Sequence, residues 1–230
     1  MKIVGVLQPG YLPWLGFFEQ LDRADLFVIY DDVQYDKNGW RNRNRIKTSQ
    51  GVQWLTVPVL MSDGTGRLIK DIRIDNRQKW QKKHLKSIEQ NYRKSLYFEK
   101  YFHIFENGFS SKWDKLIDCD MFFIEKLKEI LGINTPIVFS SDLKSKGKST
   151  ERLINVLTQL DATDFYEGIA GKDYIDENVF NNAGINLVYQ NYTHPVYNQM
   201  YGEFVPYLSV VDLIFNEGTK SLGIIRSGAK

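Results

Sequence analysis

The sequence predicts an α/β fold in which a mostly parallel sheet is interrupted by a helical insertion in the middle of the chain. Three observations point there. Residues 2–30 read as strand, helix, strand, a βαβ unit. From about 76 to 131 the apolar residues take helical spacing, and the last third returns to short strands alternating with helices. A sheet of this kind has Rossmann-like character. The 230 residues are expected to form a single α/β domain, with a helical subdomain over about 76–131.

The first strand is Lys2 to Leu7, where Ile3, Val4, Val6 and Leu7 give the near-continuous apolar run of a strand buried on both faces. Pro9, Gly10 and Pro13 stop it. A helix from Trp14 to about Leu21 leads to a second apolar run, Leu26 to Tyr30, which ends in Asp31 and Asp32. Gln53 to Val59 and Ile69 to Ile74 are further strand candidates, the second alternating apolar and polar residues. Asn76 is placed to cap a helix carrying Trp80, His84, Ile88 and Tyr92 on one side. An aromatic helix follows at about Leu96 to Asn107. A third, about Lys112 to Leu131, is striped by Ile117, Met121, Ile124, Leu127 and Leu131 and stops at Gly132. Then come strand Pro136 to Phe139, helix Thr150 to Leu160, strand Thr163 to Tyr166, a short helix near Asp176 to Asn182, and strand Asn186 to Tyr189.

Thirty Lys plus Arg against 28 Asp plus Glu leave a charge of +2, too little for the broad positive field of sequence-independent nucleic-acid binding. No nucleic-acid partner is expected. The single cysteine, Cys119, can make neither an internal disulfide nor a thiolate metal cluster, so a reduced cytoplasm fits best. The N-terminus resembles neither a signal peptide nor a membrane span, and no membrane insertion is expected. Aromatic residues at 14% exceed what a plain helical domain needs, and some are expected to line a pocket.

In a parallel sheet, ligands bind at the carboxyl ends of the strands, which directs attention to the loops beginning at Gln8 and Asp31. The first, Gln8 to Gly16, is shaped by two prolines and two glycines and offers Gln8, Tyr11 and Trp14 as amide, phenol and indole. It suits a sugar or nucleobase, or it is a proline-stiffened turn whose aromatics pack inward. The second, Asp31 to Arg45, mixes carboxylates and amides with Arg41, Arg43 and Arg45. Arginines at alternate positions share a side if extended and could clamp a diphosphate or carboxylate; a solvated surface loop is the alternative. Asp31 and Asp32 are adjacent, so at most one is expected to face a site.

Lys148, Ser149 and Thr150 open a helix and could hold phosphate, although Asp142 stands where a P-loop needs glycine; a basic turn with a plain helix cap reads equally well. Among the histidines, His84 sits on an apolar stripe and His103 has no clustered partner. His194 precedes Pro195 in a loop with Tyr197 and Gln199, where it could act as base or substrate contact. No histidine pair has zinc-ligand spacing, and no metal is expected. Cys119 lies between Asp118 and Asp120, which disfavours its thiolate. Ser209 to Gly218 read as a helix ending in a polar turn.

The blocks Gln8 to Gly16, Ala24 to Val33, Trp40 to Lys47, Trp54 to Val59, His194-Pro195-Val196-Tyr197 with Gln199, and Ser209 to Gly218 together resemble the WbqC-like protein family. The resemblance implies a bacterial cytoplasmic protein of surface-polysaccharide or O-antigen biosynthesis, for which glycine or other aminoacyl transfer to a sugar amine has been suggested. The opening βαβ unit is also distantly similar to nucleotidylyltransferase sheets, but their paired histidines flanking a glycine are missing.

The expectation is therefore an acyl or aminoacyl transferase acting on a nucleotide-linked amino sugar. A non-catalytic nucleotide-sugar binding protein and an ATP-dependent ligase are the alternatives. The expected catalytic groups are His194, Asp32 and Asp31. Expected substrate contacts are Gln8, Tyr11, Trp14, Asn38, Trp40, Arg41, Asn42 and Arg43, with Tyr197, Gln199, Asn216 and Glu217 from the C-terminal part; Lys148, Ser149 and Thr150 would hold phosphate. An activated acyl donor or ATP would serve as co-substrate; the sequence identifies neither that donor nor an oligomeric state.

Overall fold

The computed structural model describes residues 1–37, 39–60 and 66–230. Its opening is the expected βαβ unit: β1 (Ile3–Leu7), α1 (Leu15–Arg23) and β2 (Leu26–Ile29), with β1 and β2 parallel and Leu7 beside Ile29. The next two strands leave the sheet. β3 (Arg43–Thr48) and β4 (Gly51–Thr56) pair with each other as an antiparallel hairpin.

Ile69 to Ile74 differs from the expected strand. Ile69–Asp71 is a 3-10 turn, and Ile74 makes only an isolated bridge with Val59. Ile69, Ile72 and Ile74 are all buried, so their spacing records burial against the helices that follow rather than one face of a ladder. Those helices are α2 (Trp80–Tyr92), α3 (Phe98–Ser110) and α4 (Leu116–Leu131), the insertion expected from the helical spacing. Asn76 does not cap α2, which starts four residues later. Its side-chain amide donates to the carbonyl of Trp113 at 2.8 Å and so holds the approach to α4. Gly132 ends α4 in the left-handed conformation at φ 74°, which a residue with a Cβ would adopt only under strain.

The sheet resumes with β5 (Ile137–Phe139), followed by α5 (Ser140–Leu143), α6 (Ser149–Gln159), β6 (Asp164–Glu167), α7 (Glu177–Ala183) and β7 (Asn186–Tyr189). Helices α8 (Val210–Glu217) and α9 (Ser221–Ser227) complete the chain. All the pairings of the five-stranded sheet are parallel, in the order β5-β2-β1-β6-β7. Counted in chain order this is 3-2-1-4-5, the Rossmann-like arrangement, and the order reverses between β1 and β6. Alternation in the strands sorts two cores. Phe27 and Ile29 pack with Phe17, Phe18 and Leu21 of α1 and with the inserted helices, while Val4, Val6, Val28 and Phe165 meet Leu153, Val156 and Leu157 of α6 and Phe180 of α7. Among the described residues, no helix is long and apolar enough to cross a membrane.

The hairpin holds the loop that follows β1. Buried Asn44 donates to the carbonyls of Leu12 at 2.8 Å and Tyr11 at 3.2 Å, and the Arg41 guanidinium reaches the carbonyls of Pro9 at 3.2 Å and Gln8 at 3.5 Å. The N–H of Tyr11 returns a bond to Trp40 (3.2 Å), and that of Val210 reaches Pro13 (2.9 Å), joining the loop to α8. Leaving two buried carbonyls without a donor costs about 1–3 kcal/mol. Asn44→Ala is accordingly expected to lower unfolding free energy by about that much, and urea denaturation of the variant measures it.

Candidate functional site

The reversal of strand order places the carboxyl ends of β1 and β6 on either side of a crevice, and two cavities open there. The first, about 510 Å³, lies on the α1 face and is lined by Gln8, Trp14, Gln20, Trp40, Arg41 and Arg45 among others. The second, about 470 Å³, lies on the α6 face and is lined by Gln8, Tyr30, Arg41, Ser149, Glu167 and Tyr174 among others. Leu7, Gln8 and Arg41 belong to both walls. The cavities therefore meet at the end of β1.

Glu167 is the titratable group best suited to chemistry here. It is the last residue of β6 and is 4% exposed, and burial pushes its pKa up to about 7, against opposing hydrogen bonds from the Gly168 N–H (3.0 Å) and the Tyr174 hydroxyl (3.4 Å). Such a carboxyl holds or releases a proton near neutrality. Gly168 lies under Gln20, whose amide nitrogen would be 3.3 Å from an added Cβ. Ser149 brings the first turn of α6, which has no side-chain cap among the described residues, to the same cavity.

Arg41 is largely buried between the cavities. Burial pushes its pKa down, and Asp36, Asp120 and Tyr35 oppose that shift. Asp120 is wholly buried, with neither oxygen hydrogen-bonded among the described residues; burial raises its pKa far above the ordinary carboxylate value, and Arg41 draws it back.

The structure gathers Gln8, Trp14, Trp40, Arg41 and Ser149 of the expected residues at these cavities. Trp14 lies over Gly16, where an added Cβ would sit 2.3 Å from the indole, so glycine is needed for that ring to lie flat. Tyr11 instead packs into the core with its hydroxyl 2.9 Å from His84 Nδ1, so both readings of the first loop apply to different residues of it. Burial lowers the His84 pKa to about 4 and keeps the ring neutral, as an apolar-stripe histidine should be.

The other expected residues lie elsewhere. Asp31 is buried and accepts from Ser140 Oγ (3.0 Å), the Ser141 N–H (3.0 Å) and Ser141 Oγ (2.8 Å), which anchors α5 to the end of β2. Asp32 pairs with Arg152 and competes with Asp31 for the one hydroxyl hydrogen of Ser140. Neither aspartate lines either of the two cavities. His194 lies behind Trp14, stacked on it at 6.4 Å and also packed near Tyr197, Phe204 and Tyr207. Its Nδ1 is 3.0 Å from the Pro195 carbonyl, so Nδ1 carries the hydrogen; Nε2 is buried without a partner among the described residues, and burial lowers the pKa.

Asn42 is buried and donates to Val57 O at 2.7 Å. Arg43 stands on the outer face of β3 over Trp54, and Arg45 shares that face, as alternation predicts; Arg41, ahead of the strand, turns inward. Tyr197 donates to Asp212 (3.0 Å), Gln199 accepts from Lys47 (3.1 Å), Asn216 donates to the Asp212 carbonyl (2.7 Å), and Glu217 accepts from the Asn198 N–H (3.1 Å). Tyr197 and Glu217 thereby join the C-terminal loop to α8, Gln199 joins it to β3, and Asn216 bonds within α8. Lys148 is exposed just before α6, and the Thr150 hydroxyl accepts from the Asp176 N–H at 3.4 Å. Asn38 lies outside the described residues.

The profile of the WbqC-like protein family matches residues 8–224. The chain belongs to the WbqC-like protein family. The match begins at Gln8, one of the residues common to both cavities. A relative in Mycobacterium tuberculosis, the uncharacterized protein Rv1507c, is 36% identical over 228 residues, covering 98% of each chain. No solved structure matches.

Sequence reasoning passed over Glu167, Tyr174, Gln20 and Tyr207. For Glu167 one signal was present: a carboxylate closing the short strand that begins at Asp164, at the end where parallel sheets bind ligands. Because burial raises its folded-state pKa above the ordinary 4.5, its protonated form favours folding. That contribution is whole below about pH 4.5 and is lost as pH rises through 7. Between those limits, wild-type stability should fall by up to about 3 kcal/mol more than that of Glu167→Gln. Urea unfolding of both proteins across the range measures the difference, and Asp212, raised to about 6 by burial, contributes equally to both.

Proposed function

We propose that the protein transfers an acyl or aminoacyl group from an activated ester to the amine of a nucleotide-linked amino sugar, in the cytoplasm, during assembly of a bacterial surface polysaccharide. One observation carries this reading: two cavities of similar size meet at Gln8 and Arg41, and one of them holds a carboxyl poised near neutrality. A transfer reaction needs two substrates side by side, whereas a binding protein needs one cavity. Membership of the WbqC-like family agrees with the reading.

A sugar amine is partly protonated at neutral pH and its ammonium form cannot attack. Glu167, as carboxylate, takes the proton. The freed nitrogen lone pair forms the N–C bond to the acyl carbon; Glu167, having released the first proton to solvent, takes the second proton that the nitrogen sheds on acylation and delivers it to the departing oxygen as the C–O bond breaks. Charge developing on the acyl oxygen is favoured near the N-terminus of α6. Glu167 suits this work better than Asp32, committed to Arg152, or His194, whose acceptor nitrogen is buried among rings.

Glu167→Gln keeps the side-chain shape and removes the base. Turnover of an amino-sugar nucleotide with an acyl donor is expected to fall roughly 10²- to 10⁴-fold with acceptor KM little changed. An unchanged rate would remove Glu167 from the chemistry. Tight binding of the amino-sugar nucleotide with no turnover by any acyl donor would favour a binding protein instead.

A further inference from the structure

At the edge of the first cavity, on the exposed face of the β3–β4 hairpin, two tryptophans and two arginines are gathered. Trp40 and Trp54 are 45% and 44% exposed, and their rings are 5.3 Å apart at 33°. Two large indoles left half in water forgo much of the free energy that burial would give them. They are interleaved with cations. Arg45, directly opposite Trp54 in the hairpin register, sets its guanidinium 5.4 Å from the Trp40 ring and 5.7 Å from Trp54, while Arg43 lies 4.7 Å over Trp54. Arg45 is fixed by donation to the Tyr207 carbonyl at 2.9 Å. Trp40, Arg45 and Tyr207 also line the first cavity, so the cluster is its outer lip.

We propose that this lip is the nucleoside diphosphate subsite: the base stacks on the Trp40 and Trp54 platform, and the diphosphate lies against Arg45 and Arg43, leading the attached group inward past Trp14. The inference rests on the transferase reading only for what hangs from the diphosphate. Flat indoles and guanidinium planes supply stacking surface to any base, and the guanidinium forks match phosphate oxygens. A saccharide lacking phosphate would find the rings but make no use of the forks. A nucleic-acid strand would find the same chemistry over one or two nucleotides only, on a chain of net charge +2.

Trp54 separates the lip from the cavity, because it belongs to the lip and is not among the residues lining the cavity. Quenching of tryptophan fluorescence by uridine diphosphate, adenosine diphosphate and their amino-sugar esters reads binding without any turnover. Wild-type protein is expected to bind the diphosphates and the sugar esters with similar affinity, and the free amino sugar much more weakly. Trp54→Ala should raise the Kd for all the nucleotides roughly 5- to 100-fold, and Trp54→Phe should restore most of the loss. Arg43→Gln should weaken binding and flatten its salt dependence. Because Trp54 is half exposed, both Trp54 variants should retain the wild-type circular dichroism spectrum.

Equal nucleotide affinity in Trp54→Ala and wild type would overturn the subsite, leaving the transferase reading intact. Lip-dependent nucleotide binding without acyl transfer would do the reverse. A wild-type protein that binds the free amino sugar as tightly as its nucleotide ester would also overturn the subsite.

Discussion

The loop after β1 presents carbonyl groups to the protein interior, and their need for donors organises much of what surrounds them. Pro9 and Pro13 contribute no N–H, so the loop cannot satisfy itself by folding into a regular element. Donors come from outside: Arg41 for Gln8 and Pro9, Asn44 for Tyr11 and Leu12, and Val210 for Pro13. The hairpin and the start of α8 are thereby drawn onto the end of the first strand. The N–H of Ser209 donates to the Arg45 carbonyl at 2.9 Å and ties α8 to the hairpin in turn. With the backbone so held, Tyr11 is directed into the core and Trp14 across Gly16 onto the cavity wall.

Carboxylates near the sheet's carboxyl edge illustrate how surroundings, rather than residue type, settle what a group can do. Asp31 is surrounded by serine donors and caps a helix, and Asp32 is neutralised by Arg152. Glu167 has one backbone donor and one long hydroxyl contact in a mostly apolar wall, so burial prevails and its charge is costly. The two aspartates hold β2, α5 and α6 together. Glu167 is left with a proton affinity close to neutrality.

The parallel strands were legible because burial on both faces leaves a plain mark: apolar runs such as Ile3 to Leu7 and Leu26 to Tyr30 are too short for a buried helix and too unbroken for a strand with one face in water. The inserted helices were legible from their stripes, and Gly132 from the left-handed turn it makes. Ile69 to Ile74 misled because alternate residues can be buried without a neighbouring strand, and Asn76 because its side chain found a distant carbonyl in preference to the nearest helix end. The cavity lining was legible where a local backbone feature creates it, as at Gln8, Trp14 and Arg41. It was not legible at Glu167, 159 positions beyond Gln8, since only strand order brings β6 beside β1. Motif reading also favoured His194 for its polar neighbours, whereas packing surrounds it with aromatic rings.

Arg41 joins these strands of the structure, and its chemistry explains why no shorter cation would replace it. Its Nη1 serves the carbonyls of both Gln8 and Pro9, which leaves the rest of the planar guanidinium to wall two cavities; an ammonium is a point charge with stronger hydration. Burying that cation carries a desolvation cost, visible in its lowered pKa, and Asp36 and Asp120 offset part of it. Asp120 has its own burial cost, eased by Arg41, and makes no hydrogen bond among the described residues. Burial thus holds Asp120 toward its neutral form, with Arg41 as the group that draws it back. The helix that carries Asp120 belongs to the insertion, so α4 brings a buried carboxyl near Arg41 as well as packing in the core on the α1 side.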